Sequence, residues 1–183
     1  MFPISSQLKT SLAKLTDYLR NQNKSATFHI IGSFALELKG YRRNYQTTDI
    51  DLIKDVEDEE IAIEINRIGE ELKDVMWMNL SAETIPRPEG FDQRVEIVEY
   101  NEKISFFVPS HKDIVILKIS AMIDRGQEDP KDFNDLLSLK PTAANFEESV
   151  EFYKNNKMKE LIGTKFEKIA LDRIEWARSK LGF

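Results

Sequence analysis

Apolar residues recur along this chain with two periods, one helical and one of strand type. In residues 5–21, Leu8, Leu12, Leu15 and Leu19 fall at helical spacing, and Ser5 or Ser6 suits the N-cap. The polar run 21–25 ends that helix. Residues 27–31 form a short β-type run closed by Gly32 and Ser33. Residues 34–39 read as a short helix that Gly40 caps, and 41–48 as loop. Residues 48–53, TDIDLI, alternate polar and apolar like a strand. Ile61, Ile65, Ile68 and Leu72 stripe a helix over 57–74, with Asp55, Glu57 and Asp58 near its positive end. A further strand is expected over 75–80, and loop over 81–92, where Pro86, Pro88 and Gly90 fall.

The remainder divides into a hairpin and a helical tail. Residues 94–100 and 103–108 pair across Asn101-Glu102, with Val95 and Ile97 read as core-facing. Pro109-Ser110 starts a helix over 111–124, and Asp129-Pro130 starts another, with proline at its first position. Phe166, Ile169, Ala170, Ile174, Ala177 and Leu181 stripe the final helix. Phe106, Phe107, Trp77 and Trp176 are assigned to core, and His29 to a structural role. Strands cluster in the first 110 residues, so the expected fold is α+β. A small mixed sheet of four or five strands has flanking helices and a C-terminal helical region. Residues 1–110 are read as the core and 111–183 as a helical region packed on it, with a single compact unit as the alternative.

Composition narrows the chemistry. A chain of 183 residues with 41% apolar and 10% aromatic residues can bury a sizeable core and is not disordered. Cysteine is absent, which removes disulfides, thiolate nucleophiles and thiolate zinc sites. Two histidines, His29 and His111, leave little room for a histidine-rich metal site. No apolar run reaches the ~20 residues of a membrane helix. The stretch MFPISSQLKT lacks a basic segment before an apolar one, so no signal peptide and a soluble, cytoplasmic protein are expected.

The net charge is −6, which argues against a general coat for nucleic acids but leaves room for a local basic patch. The acid is concentrated: residues 49–75 hold eleven acidic and three basic side chains. Most of these acids, Glu57 to Glu60 among them, lie on several faces of one helix and cannot converge, so they read as a solvated surface.

Two acids of that segment differ from the rest. In a strand, Asp49 and Asp51 point to one face while Ile50 and Leu52 point to the other. Paired carboxylates repel and recruit a cation, and hard cations such as Mg²⁺ take one or two carboxylates together with substrate phosphates. Gly32-Ser33, between strand and helix, permits close approach of a phosphate to backbone N–H groups, to which the Ser33 hydroxyl adds one donor. Asp-x-Asp alone is uninformative among thirteen aspartates; the informative pattern is strand, Gly-Ser, helix, loop, Asp-x-Asp strand.

That joint pattern resembles the nucleotidyltransferase superfamily, with its polymerase-β-like fold. In detail it is similar to the AbiEii-type branch and related nucleotidyltransferases of bacterial toxin–antitoxin and abortive-infection systems. The matching residues are Gly32, Ser33, Ala35, Leu36, Gly40, Tyr41, Arg43, Thr47 or Thr48, Asp49, Ile50, Asp51 and Leu52, and then Pro109, Ser110, Asp113, Lys118, Ala121, Arg125, Lys131, Asp132, Asp135 and Leu136. The likeness covers about residues 27–140.

The resemblance implies a metal-dependent enzyme that transfers a nucleotidyl group from an NTP to RNA, such as tRNA, or to a protein. Mg²⁺ or Mn²⁺ is the implied cofactor, with a toxin role and a cognate antitoxin as partner. Asp49 and Asp51 would bind metal, and Glu96 would complete the triad, with Asp92 and Glu99 as alternatives. Gly32, Ser33, Arg43, Thr48 and Lys118 would bind the nucleotide. Arg42 and Arg43 with Tyr41 and Tyr45 make a basic–aromatic loop able to stack a base or hold a phosphate. The rival readings are a catalytically inactive nucleotide-binding module and a partner-regulating subunit that works through its C-terminal helices.

Overall fold

Helix α1 (Ser6–Asn21) begins where the Ser5 side chain accepts the Leu8 N–H, and its four leucines are fully buried. The computed structural model of the protein describes residues 4–41, 46–74, 76–79, 82, 84–126 and 131–183. These residues fall into two compact units. One is Met1–Ile85 with Asp92–Ser110, and the other is Pro86–Phe91 with His111–Phe183.

In the first unit, β1 (Ala26–Ile31) runs straight into α2 (Gly32–Leu38), and β2 (Ile50–Leu52) follows the loop. Helix α3 (Glu59–Leu72) is capped by Asp58, which accepts the Glu60 and Ile61 N–H groups. Next come β3 (Met78–Asn79) and the hairpin β4 (Glu96–Glu99) and β5 (Ile104–Val108). At the hairpin turn, Asn101 Oδ1 accepts the Lys103 and Ile104 N–H groups. Among the described residues the strands form one mixed sheet in the order β3-β2-β1-β5-β4. Strand β1 pairs parallel with β5 and antiparallel with β2; β2 pairs parallel with β3, and β4 antiparallel with β5.

The register sorts the side chains by face, because directly paired residues project to the same side. Phe28, Ile30, Leu52, Ile104, Phe106 and Val108 share the buried face. The opposite face carries Thr27, His29, Ser105, Phe107 and Ile97 and is partly open. The core assignments of Ile97 and Phe107 are therefore corrected, and so is that of Trp176. Phe106 takes the core, so its pairing with Val98 turns Ile97 outward, where it is 63% exposed. Phe107 is likewise only half-buried and stacks on the His29 ring at 4.4 Å. Trp77 is fully buried, with its indole N–H donating to the Ile65 carbonyl, while Trp176 is half-buried.

The second unit is helical: α4 (His111–Arg125), α5 (Lys131–Leu139), α6 (Ala143–Asn156) and α7 (Lys165–Leu181). Thr142 and Asn145 form a reciprocal capping box at the start of α6. Asp129-Pro130, expected to open α5, lies outside the described residues. In α7, Ala170, Ile174 and Ala177 face the core, whereas Phe166 and Ile169, expected on the same stripe, are exposed. The inward line of α7 is narrower than its apolar sequence suggests, and it includes two alanines.

Candidate active site

The site begins at the junction of β1 and α2. Antiparallel pairing places Ile31 opposite Asp51, so the chain turns at Gly32 immediately beside the Asp51 side chain. Gly32 has φ of +74°, a left-handed conformation that favours glycine. A Cβ there would overlap the Asp51 carboxylate, with Asp51 Cγ at 3.3 Å and Cβ at 3.6 Å. Glycine is required at this turn both by backbone conformation and by the approach of the carboxylate.

Ile50 and Leu52 are buried on one side of β2, which leaves Asp51 on the other, half-buried, on the side of Ile31 and His29. Asp49, two residues earlier, is also half-buried. Its Oδ1 accepts the Thr47 hydroxyl at 2.7 Å. Thr47 in turn donates its backbone N–H to Glu37 Oε1 at 2.6 Å. Glu37 and Thr47 are both buried. Thr47, rather than the exposed Thr48, is thus the threonine that touches the Asp-x-Asp pair. Glu37 carries no sequence motif; its only signal is a carboxylate flanked by Leu36 and Leu38 in a short, otherwise apolar helix.

Ser33 is buried behind the turn rather than displayed on the surface. Helix α2 has seven residues and contributes only a short helix dipole at this turn. Arg42, Arg43 and Tyr45 lie outside the described residues. Tyr41 is described; burial first, and then the charge of Glu96, raise its phenol above the ordinary tyrosine value.

Glu96 is not brought to the aspartates. It is the register partner of Val108, which puts it on the Phe106 side of the sheet, opposite the side of Asp51. Its carboxylate is paired with Lys39 at 2.8 Å, at the end of α2. The reason is the same inversion that exposes Ile97: Phe106 fixes the inward side of the hairpin. The alternatives fare no better. Asp92 sits in a short 3₁₀ turn with Lys54 at 3.9 Å. Glu99 pairs with Ser105, level with Thr27, at the far end of β1. Among the described residues no group of three or more acidic or histidine side chains is arranged to hold one metal ion. A three-acid centre of Asp49, Asp51 and Glu96 is therefore withdrawn, and the two aspartates are left as the candidate donor set. Two carboxylates suit Mg²⁺, which keeps several waters and takes its other oxygens from substrate phosphates.

Lys118 belongs to the helical unit and is buried. Its ammonium lies 3.0 Å from Asp132 and 2.7 Å from Asp135, both buried, and Arg125 also pairs with Asp132. Asp132 and Asp135 are thus half of an ion cluster that ties α5 to α4. The acids at the start of α3 behave as expected of a surface: Asp58 caps the helix and Lys24 pairs with Asp58 and Glu60.

The strand–glycine turn–helix–Asp-x-Asp arrangement within an α+β sheet fold agrees with comparison at the family level. Residues 6–169 match the family described as nucleotidyltransferase of unknown function (DUF6036), and the chain belongs to that family. No curated protein and no solved structure matches the chain.

Proposed function

We propose that the protein transfers a nucleotidyl group from an NTP to an acceptor hydroxyl, which gives up its proton as the α–β phosphate bond breaks and pyrophosphate leaves, at a site built on Asp49, Asp51 and the Gly32 turn. The observation that carries this reading is the juxtaposition of Gly32 and Asp51. It puts a backbone surface without a side chain beside a carboxylate, where a cation bound by the carboxylate and a phosphate on the backbone would meet. Bound Mg²⁺ or Mn²⁺ would neutralise charge on the transferring phosphate and activate the attacking oxygen. Asp49 and Asp51 would hold the ion. The turn at Gly32 admits the phosphates to backbone N–H groups, and Arg43 is the nearby cation in sequence for the triphosphate. Lys118, already neutralised by two carboxylates, supports the helical unit instead. The likeness to AbiEii-type sequences favours RNA or protein as acceptor, and a toxin role in a toxin–antitoxin or phage-defence pair.

The test is incubation with each α-labelled NTP and Mg²⁺ against tRNA and protein acceptors. Wild type should label an acceptor; equal labelling by an Asp49→Ala/Asp51→Ala double variant would sink the assignment. One observation favours a second reading. With no third carboxylate at the pair among the described residues, the protein would bind a metal–nucleotide complex and turn it over slowly or not at all, acting as a sensor or a regulating subunit. Mg²⁺-dependent NTP binding without transfer to any acceptor is the result that selects it.

A further inference from the structure

We propose that Glu37 is a positioning residue that sets the orientation of the Asp49 carboxylate through Thr47, an inference that rests on the reading of Asp49 as a metal ligand. Glu37 is 1% exposed, and a carboxylate at that depth needs hydrogen-bond partners. One of them is the Thr47 N–H, at 2.6 Å from Oε1. Thr47 is 3% exposed and lies in the chain between α2 and β2, outside the sheet ladder, so its place depends on such bonds. A threonine hydroxyl has one proton to give. Its contact with Asp49 Oδ1 is 2.7 Å, against 3.4 Å to the Asp49 carbonyl, so the proton goes to the carboxylate. Oδ1 is thereby fixed, and Oδ2 is the oxygen that Thr47 leaves for a cation.

The consequence is that one short helix references both acids. Asp51 is placed by the Gly32 turn at the start of α2, and Asp49 by Glu37 one and a half turns later. The separation of the two carboxylates is then held by α2 as well as by the chain that leads from Asp49 into β2.

The experiment uses protein carrying ¹³C at the aspartate carboxyls, with the Asp49 signal assigned by its loss in Asp49→Asn. Mn²⁺ binding is measured in parallel by electron paramagnetic resonance. Thr47→Val deletes the hydroxyl at constant shape, and Thr47→Ser restores it. Glu37→Gln keeps an acceptor for the Thr47 N–H; Glu37→Leu removes it, and Glu37→Asp withdraws it by one methylene. Thr47→Val, Glu37→Leu and Glu37→Asp should each shift the Asp49 signal in metal-free protein. Each should also weaken Mn²⁺ binding by roughly 10-fold or more, the usual effect of losing a partner behind a metal ligand. Thr47→Ser and Glu37→Gln should stay close to wild type.

If Glu37→Leu does not fold, Glu37→Asp decides. The proposal is overturned if Glu37→Asp and Glu37→Leu lower thermal stability yet leave the Asp49 signal and the Mn²⁺ affinity unchanged. Wild-type protein that binds no Mn²⁺ would overturn the metal reading of Asp49 instead, and the ¹³C signal would still decide whether Glu37 and Thr47 hold its carboxylate.

Discussion

Gly32 and Asp51 are neighbours that leave no room for a side chain: a Cβ on residue 32 would overlap the Asp51 carboxylate. The left-handed φ at Gly32 adds a backbone penalty of about 1–2 kcal/mol for any other residue. Gly32→Ala should therefore lower unfolding free energy by at least that amount in urea titration. It should also weaken Mg²⁺-dependent NTP binding, because the displaced carboxylate is the proposed ligand. Adding Asp51→Ala should recover the part of the stability loss that comes from the overlap, so the two changes are non-additive.

Asp49 and Asp51 should behave as functional rather than structural residues. Asp51→Asn removes one of two neighbouring like charges and none of the core packing made by Ile50 and Leu52. Mg²⁺-dependent NTP binding should fall by about 10-fold or more, roughly 1.4 kcal/mol, by calorimetric titration. A stability loss with unchanged binding would identify Asp51 as a structural group.

The Gly32 turn and the outward side of Asp51 were legible in the sequence because both depend on local rules. A glycine between strand and helix marks a turn, and alternation turns Asp51 away from the buried Ile50 and Leu52; Asp49 falls one residue before β2, where that rule does not fix its side. The hairpin was not legible in the same way. Residues 94–100 carry apolar side chains on both faces, Val95 and Ile97 on one and Val98 and Tyr100 on the other, and Phe106 on β5 decides which face turns in. The third carboxylate was assigned by that choice and moved with it. Glu37 was missed because burial of nearly all of α2 is a tertiary property. Nothing in GSFALEL says that the one carboxylate is inside.

Lys118 offers a test of structure against function in the helical unit. Its side chain is 9% exposed, and those of its partners Asp132 and Asp135 are 1% and 0% exposed. Lys118→Met takes the shared cation from two buried carboxylates, leaves Asp132 its pair with Arg125, and should cost about 3–5 kcal/mol in chemical denaturation. Replacing all three by apolar residues of similar volume should be far less costly. A Lys118→Met variant that keeps full stability but loses NTP binding would return Lys118 to the phosphate site.

Acid should erode the surface ties around α1 and α3. Lys24, and next the Ile61 N–H, hold the Asp58 carboxyl below its ordinary value; Lys14 does the same for Glu71, and Arg20 for Glu102. A carboxyl depressed in the folded state contributes stability that is fully present above its unfolded value, near pH 4. That contribution is lost as pH falls through the lower folded value. These groups should leave the melting temperature flat from about pH 7 to 5, and lower it below about pH 4. Asp58→Asn keeps an N-cap but does not titrate, so its acid limb should be shallower than wild type. Because the pairs lie at the surface, 1 M NaCl should shrink the difference.

The central claim is that Asp49, Asp51 and the Gly32 turn make one metal–triphosphate site. Calorimetric titration of each NTP into the protein, with and without Mg²⁺, tests it most directly when run beside Asp49→Asn/Asp51→Asn. At least one NTP should bind wild type with a stoichiometry of one, only when Mg²⁺ is present, and should not bind the double variant. Binding that ignores Mg²⁺, or that survives unchanged in the double variant, would contradict the account.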